Sequence, residues 1–389
     1  MTLRIRPCPI CGSLNAIPRY LNTMAPLDGL DMSYRVAQCN GCGFVFADQL
    51  PSPTAYGTYY RSLSKYDIAP TSTAGISQTD QLRCGAAVDL LRAHVGMDAG
   101  IADLGCGSGM LLDALRTAGW SHLLGIDPAP CAPEQASTQF GLDCVRSGTL
   151  EQAPELADLS AMDVICLTGV LEHLPRLRED LETLTSAIGR NTRILVEVPA
   201  LERFTRPPFE PYGELSLEHI QYFSAASLTE LFETLGFTAL SIALVDLPPG
   251  NCDSLFGLFA RSPATQMPSS SMTKGNYIDE YIAQSEAMAQ SAAVRIAACP
   301  AKSLVIYGAG SHTARLFPRL LAADESRLVG LVDNNPNLQN KRLGPLLIEA
   351  PKTLGRYADA TIIVSSFRAQ RQIADTLRAQ YPNPVLTLY

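Results

Sequence analysis

Ile101-Ala-Asp-Leu-Gly-Cys-Gly-Ser-Gly109 is the stretch whose reading decides the fold. Apolar residues lead into it, and Met110-Leu-Leu-Asp-Ala-Leu-Arg-Thr-Ala118 behind it has a helical pattern. The order predicts a strand, a glycine turn and a helix. Glycines at 105, 107 and 109 let the chain bend sharply and let a ligand lie against bare backbone. The first N–H groups of the helix then face that ligand. His122-Leu-Leu-Gly-Ile-Asp127 is a second apolar run. It ends in an acid about 20 residues past the glycines, the separation at which a second-strand acid grips a ribose diol.

Working outward, Asp163-Val-Ile-Cys-Leu167 and Arg193-Ile-Leu-Val-Glu-Val198 are further short apolar runs between helical segments. Such runs predict a parallel sheet covered on both faces. The glycine spacing is Asp-x-Gly-x-Gly-x-Gly, with Gly-Ile-Asp-Pro at 125–128 and Leu171-Glu-His-Leu-Pro175 following in order. Together, over roughly 85–240, these motifs resemble class I S-adenosylmethionine-dependent methyltransferases. The competing reading is a nicotinamide-binding Rossmann unit, whose usual spacing is Gly-x-Gly-x-x-Gly. The resemblance implies S-adenosylmethionine as cofactor, its methionine part over Gly105, Gly107 and Gly109 and its ribose on Asp127. It also implies cofactor contacts from Asp103, Pro128, Thr168 and Leu171.

The chain has 389 residues, which predicts two or three domains. Hydrophobic residues are 47% and charged residues 17%, enough apolar material for a large core and too little charge for general disorder. The formal net charge is −8 and no basic tract occurs, which argues against nucleic acid as a partner. No apolar run approaches the ~20 residues of a membrane span, and Met1-Thr-Leu-Arg-Ile-Arg-Pro lacks the apolar core of a signal peptide. With eleven cysteines and no secretion signal, a reducing, cytoplasmic setting is expected.

Cys8-Pro-Ile-Cys11 and Cys39-Asn-Gly-Cys42 are paired knuckles around about 27 residues. Four thiolates on two tight turns can surround Zn²⁺ tetrahedrally and leave no open position, so a structural zinc is expected. Gly12 and Gly43 follow the knuckles, where the turn needs a residue tolerant of positive φ. A redox dithiol is the alternative, and two matched knuckles fit it poorly. The zinc would fold a small ribbon that has little core of its own.

Tyr56-Gly-Thr-Tyr-Tyr-Arg-Ser-Leu-Ser-Lys-Tyr66 reads either as amphipathic packing or as a lid whose phenols reach a substrate. Two of the five histidines follow an acid: Glu172-His173 after the fourth strand, and Glu218-His219 within Leu217-Glu-His-Ile-Gln-Tyr-Phe-Ser224. The second segment follows the fifth strand and is expected to fold over the carboxyl edge of the sheet, where ligands sit. His219 could equally cap or pack. Ser303-Leu-Val-Ile-Tyr-Gly-Ala-Gly-Ser-His312 opens another strand–loop–helix unit, with Asp333 about 20 residues on. Thr313 stands where a third glycine would complete a nicotinamide site. A phosphate-holding surface and a purely structural domain remain open for this unit.

The ribbon, the tyrosines, the class I core, Glu-His-x-x-Tyr-Phe-Ser and the small C-terminal unit occur in this order in bacterial sugar C-methyltransferases, which the whole chain resembles. That family methylates C3 of nucleotide-linked 4-keto deoxysugars. The resemblance implies His219 as base, Glu218 as its partner, and Tyr59 or Tyr60 and His173 lining the sugar site. Ser216 stands where the family often has tyrosine.

The expected fold is α/β in five segments: a four-cysteine zinc ribbon (1–50), a tyrosine-rich lid (51–80), a methyltransferase domain with a Rossmann-like sheet (81–262), a linker and connector helix (263–300), and a small Rossmann-like domain (301–389). The expected function is methyl transfer to a small acceptor, with C-methylation of a nucleotide-linked keto-deoxysugar as the leading case. O-methylation of a sugar or other hydroxylated metabolite and a non-catalytic cofactor sensor are the alternatives.

Overall fold

The computed structural model describes residues 5–52, 55, 77–248, 253–262 and 275–389, and among these described residues there are three β-sheets. The first sheet is built from β1 (Ala16–Asn22), β2 (Tyr34–Cys39) and β3 (Val45–Gln49). The second follows α1 (Gln78–His94). Its strands β4 (Ile101–Leu104), β5 (Leu123–Asp127), β6 (Val145–Ser147), β7 (Val164–Thr168) and β8 (Arg193–Pro199) are parallel. Between them run α2 (Met110–Ala118), α3 (Ala132–Phe140), the single turn α4 (Ala153–Leu156) and α5 (Leu177–Ala187). Then come β9 (Gln221–Tyr222), α6 (Ala225–Thr234), β10 (Phe237–Val245) and β11 (Ser254–Arg261).

The long helix α7 (Tyr277–Ala298) leads to the third sheet. That sheet contains β12 (Leu304–Tyr307), β13 (Leu328–Val332), the pair β14 (Arg342–Leu343) and β15 (Leu346–Glu349), β16 (Thr361–Val364) and β17 (Val385–Thr387). Helix α8 (Ser311–Asp324) follows β12, and α9 (Gln370–Gln380) follows β16. The order is β14-β15-β13-β12-β16-β17, parallel except at β14.

In the second sheet, successive side chains commit to opposite faces. Val164 and Cys166 pack with Ile101 and Leu195, under Leu91 of α1 and Leu111 and Leu115 of α2. Ile165 and Leu167 pack with Ala102, Leu104 and Val196, under Leu181 of α5 and Leu228 and Phe232 of α6. Both faces are dry, which is why these strands read as apolar runs rather than alternating ones. The order is β10-β11-β8-β7-β4-β5-β6, with β11 antiparallel to both neighbours. The chain reverses direction across the sheet between β4 and β7, and the crevice at their carboxyl ends is where such sheets bind ligands.

The first sheet borrows its fourth strand: β9 pairs with β3, giving β1-β2-β3-β9. Cys8, Cys39, Cys42, Phe44 and Phe46 share one core with Leu171, Val198 and Phe223. The four-cysteine region is therefore built onto the methyltransferase core, not a ribbon standing apart. Its own apolar surface is small, and rings such as Phe44, 5.2 Å from Phe223, supply the missing contacts. Helix α7 acts as a strut. Its buried residues Ile278, Tyr281, Ser285, Ala289, Ala292 and Ile296 recur every three or four positions. The earlier ones face Tyr34 and Phe204, and the last two face Leu304 and Ile306 of the third sheet.

The loop before β9 is held by all three parts. Tyr281 of α7 accepts the Glu214 N–H at 2.9 Å, Arg315 of α8 donates to the Leu215 carbonyl at 2.5 Å, and Asn22 of β1 donates to the same carbonyl at 3.1 Å. The tyrosine-rich stretch with Tyr59 and Tyr60 lies outside the described residues. No helix among the described residues is long and apolar enough to cross a membrane.

Candidate active site

The glycine turn after β4 takes left-handed backbone at Gly105, Gly107 and Gly109, with φ of 86°, 54° and 86°. The three glycines serve different ends. A Cβ at Gly105 would lie 2.5 Å from Val170 Cγ2, and one at Gly109 2.8 Å from Leu142 Cδ1, so these two permit close packing. At Gly107 nothing lies within 4 Å, which leaves backbone open to a ligand.

Asp127, at the end of β5, accepts the Gly107 N–H at 2.7 Å on Oδ2 and the Ala129 N–H at 2.8 Å on Oδ1. Each oxygen keeps a second lone pair for a hydroxyl donor. Asp103 is 1% exposed and its Oδ1 has no hydrogen-bond partner. Burial first, and the Asp127 charge second, push its carboxyl up to about 7. Two buried acids beside an open glycine loop suit a ligand that brings positive charge and ribose hydroxyls. An ammonium and a sulfonium are such charges, so the residues present fit S-adenosylmethionine. Thr168 ends β7 half-buried, Pro128 is exposed, and Leu171 is wholly buried in the core beneath.

A pH test follows from Asp103. Its folded pKa is raised, so the neutral form stabilises the fold below about pH 3.8 and that contribution is lost as pH rises through about 7. Asp103→Asn should therefore melt higher than the parent at pH 8, with the difference closing toward pH 4. Parallel melting curves across that range would exclude a buried, strained Asp103.

The turn after β7 carries Glu172 and His173, and Val170 of the same turn touches Gly105. This turn is zipped to the 216–221 segment. The Ile220 N–H donates to the Glu172 carbonyl at 2.9 Å, and Gln221 Nε2 donates to the Leu174 carbonyl at 2.9 Å. His173 Nδ1 lies 2.9 Å from the Glu218 carbonyl. A carbonyl only accepts, so Nδ1 carries the proton and Nε2 of the neutral ring is the basic atom. The His173 and His219 rings meet edge-on, 4.9 Å between centroids.

Ser216 explains its own presence: its Oγ accepts the N–H groups of Glu218 at 3.3 Å and His219 at 3.0 Å. The Tyr222 hydroxyl donates to the His219 carbonyl at 2.8 Å, and the Tyr34 hydroxyl to the Ser216 carbonyl at 2.8 Å. Glu218 is buried and meets His173 through its backbone. The structure thus brings His173 and His219 together, with Val170 of the His173 turn lying against Gly105.

Glu172 belongs to the same cluster, a site residue with no role assigned from the sequence. It is 3% exposed, and burial first, then the Glu197 charge, push its carboxyl up to about 8. Its signal was present in Glu172-His173 at a strand end. Tyr34, far away in sequence, had none.

The four cysteine sulfurs lie within 4.8 Å of one another, with Cys8–Cys42 at 3.5 Å and Cys11–Cys39 at 3.4 Å. Ligand sulfurs around a tetrahedral Zn²⁺ with bonds of about 2.3 Å sit about 3.8 Å apart, so the donor set fits that ion. Gly12 and Gly43 take φ of 73° and 79°, as the knuckle turns require. The third sheet repeats the first cradle's bonding: the Ala309 N–H donates to Asp333 at 2.6 Å. There, however, Thr313 is fully buried and its Oγ1 donates back to the Gly308 carbonyl at 2.6 Å.

A family model described as a methyltransferase domain matches residues 83–242. C-methyltransferase NovU of Streptomyces niveus is 25% identical over 233 residues, 59% of this chain and 50% of that protein. A tRNA U34 carboxymethyltransferase of Cronobacter sakazakii is 29% identical over 193 residues, 47% of this chain and 59% of that protein. The chain thus spans about half the length of the curated relatives it matches. Among solved structures, Burkholderia thailandensis 1,6-didemethyltoxoflavin-N1-methyltransferase is 18% identical with a TM-score of 0.42, covering 61% of this chain and 100% of that one. By the family match, residues 83–242 form a methyltransferase domain, and its strand order and glycine cradle are of the class I S-adenosylmethionine-dependent type.

Proposed function

We propose that the chain transfers a methyl group from S-adenosylmethionine to a small-molecule acceptor, and that the acceptor atom is a carbon beside a ketone in a nucleotide-linked deoxysugar. The observation that carries this reading is the pairing of His173 and His219, 4.9 Å apart, where Val170 of the His173 turn lies against Gly105. When bound, the cofactor supplies an electrophilic methyl on sulfur.

The chain's own residues do the rest. The open backbone at Gly107, in a turn that Gly105 and Gly109 let pack closely, admits the cofactor, and the Asp127 oxygens take its ribose hydroxyls. Asp103 faces positive charge with a carboxylate. His219 accepts the acceptor's α-proton, since an imidazole can hold and release a proton near neutrality. His173, its Nδ1–H held by the Glu218 carbonyl, sets the neighbouring face of the pocket. Holding donor and acceptor in line contributes several kcal/mol to the rate. Tyr59 or Tyr60 donates to the sugar.

The test is incubation with methyl-labelled cofactor and a panel of nucleotide-linked keto-deoxysugars, read by mass spectrometry and NMR. A carbon-bound label supports the reading, and an oxygen-bound label replaces it with O-methylation. The relatives named for tRNA U34 raise tRNA as a second acceptor class. The chain's 30 Lys and Arg against 38 Asp and Glu oppose it, because polyanion binding rests on clustered cations.

The four cysteines hold a structural Zn²⁺ in this reading. Elemental analysis should find one zinc per chain, and Cys39→Ser should lower the melting temperature. Metal-free protein of unchanged stability would refute the assignment. Because Cys39 shares a core with Phe223, just past β9, the loss should also loosen the His219 segment.

A further inference from the structure

Outside the cysteine cluster, Glu172, His173 and His219 are the other group of described residues whose ligand atoms converge, all within 4.8 Å. The Glu172 side chain is buried and its Oε2 has no hydrogen-bond partner. An acceptor buried without a donor is a standing cost to the fold, and a cation removes it. His173 Nδ1–H rests on the Glu218 carbonyl, and its Nε2 lies 3.8 Å from Glu172 Oε1. An imidazole whose far N–H is held by a carbonyl is the usual form of a metal-binding histidine. The two segments are already locked together by the Ile220-to-Glu172 backbone bond and by the His173-to-Glu218 bond. Little reorganisation is needed to close three ligands on one ion.

We propose that Glu172, His173 and His219 form a divalent-cation site, distinct from the four cysteines, that takes Zn²⁺, Co²⁺ or Ni²⁺. Two imidazoles and one carboxylate suit these borderline ions better than Mg²⁺ or Ca²⁺. Three protein ligands leave coordination positions for water. An ion here occupies the lone pair that His219 uses as base, so cation binding and proton abstraction exclude one another. That consequence rests on the methyl-transfer reading; the site itself does not.

The test titrates the purified protein, its tightly bound zinc left in place, with Co²⁺ alone. Calorimetry and visible absorption are recorded together. One Co²⁺ should bind with weak d–d bands and without the intense near-ultraviolet band of cobalt thiolate, which would mark exchange into the cysteines. Glu172→Gln and His219→Gln should each weaken binding by at least about tenfold. Melting curves identify any variant that fails to fold, and the other then decides. Absence of Co²⁺ uptake, or the parent's affinity retained in both variants, overturns the site. If S-adenosylmethionine still binds while Co²⁺ does not, the cation site alone fails. If S-adenosylmethionine does not bind, the methyl-transfer reading fails whatever Co²⁺ does.

Discussion

His219→Asn is expected to cut turnover by about 10²–10⁴ while leaving cofactor affinity intact. The backbone of residue 219 is held by the Ser216 Oγ at 3.0 Å and the Tyr222 hydroxyl at 2.8 Å, neither of which touches the ring. Asparagine at this position keeps both backbone bonds and removes the imidazole that accepts the proton. Steady-state kinetics with the acceptor found in the panel separate the roles. A pocket-shaping residue raises KM more than it lowers kcat, and a base does the reverse. For a carbon acceptor, the variant should also stop exchange of the α-proton with deuterated solvent in the absence of methyl transfer. Exchange at the parent rate would move the role to His173, whose Nε2 is the free-base atom of a ring pinned through Nδ1.

Asp127→Ala should weaken S-adenosylmethionine binding by about 1–3 kcal/mol, the cost of losing a charged acceptor. At about 1.4 kcal/mol per decade, this is roughly a five- to 150-fold rise in Kd. The structure adds a second reason. The same carboxylate fastens Gly107 and Ala129 by their N–H groups, so its removal also releases the open glycine of the cradle. Asp127→Asn retains one acceptor oxygen and should lose less. Calorimetry measures both, and unaltered affinity in Asp127→Ala would remove this residue from the cofactor site.

What was legible in the sequence was local. The strand, turn and helix from Ile101 to Ala118 lie within one short stretch, and their apolar spacing follows directly from packing on both faces of a sheet. The left-handed glycines of the two knuckles were legible for the same reason. The histidine clamp was only half legible. Glu172-His173 and Glu218-His219 each stand out as pairs, but nothing in either says that His173 meets the Glu218 carbonyl 45 positions away. The link from Tyr34 to Ser216 spans 182 positions and depends on β9 joining the first sheet. Strand pairing at that separation leaves no periodic trace. Ser216 looked like a departure from a tyrosine pattern, whereas its hydroxyl closes the turn that presents His219.

The most direct measurement of the central claim is the fate of a labelled methyl group. Purified protein is incubated with methyl-¹³C S-adenosylmethionine and nucleotide-linked keto-deoxysugars, and products are resolved by mass spectrometry and carbon NMR. The account predicts a sugar product heavier by one labelled methyl, bonded to the carbon beside the ketone, and no such product from His219→Asn. Tight cofactor binding with no label in any sugar, or label recovered in tRNA added alongside, would contradict it.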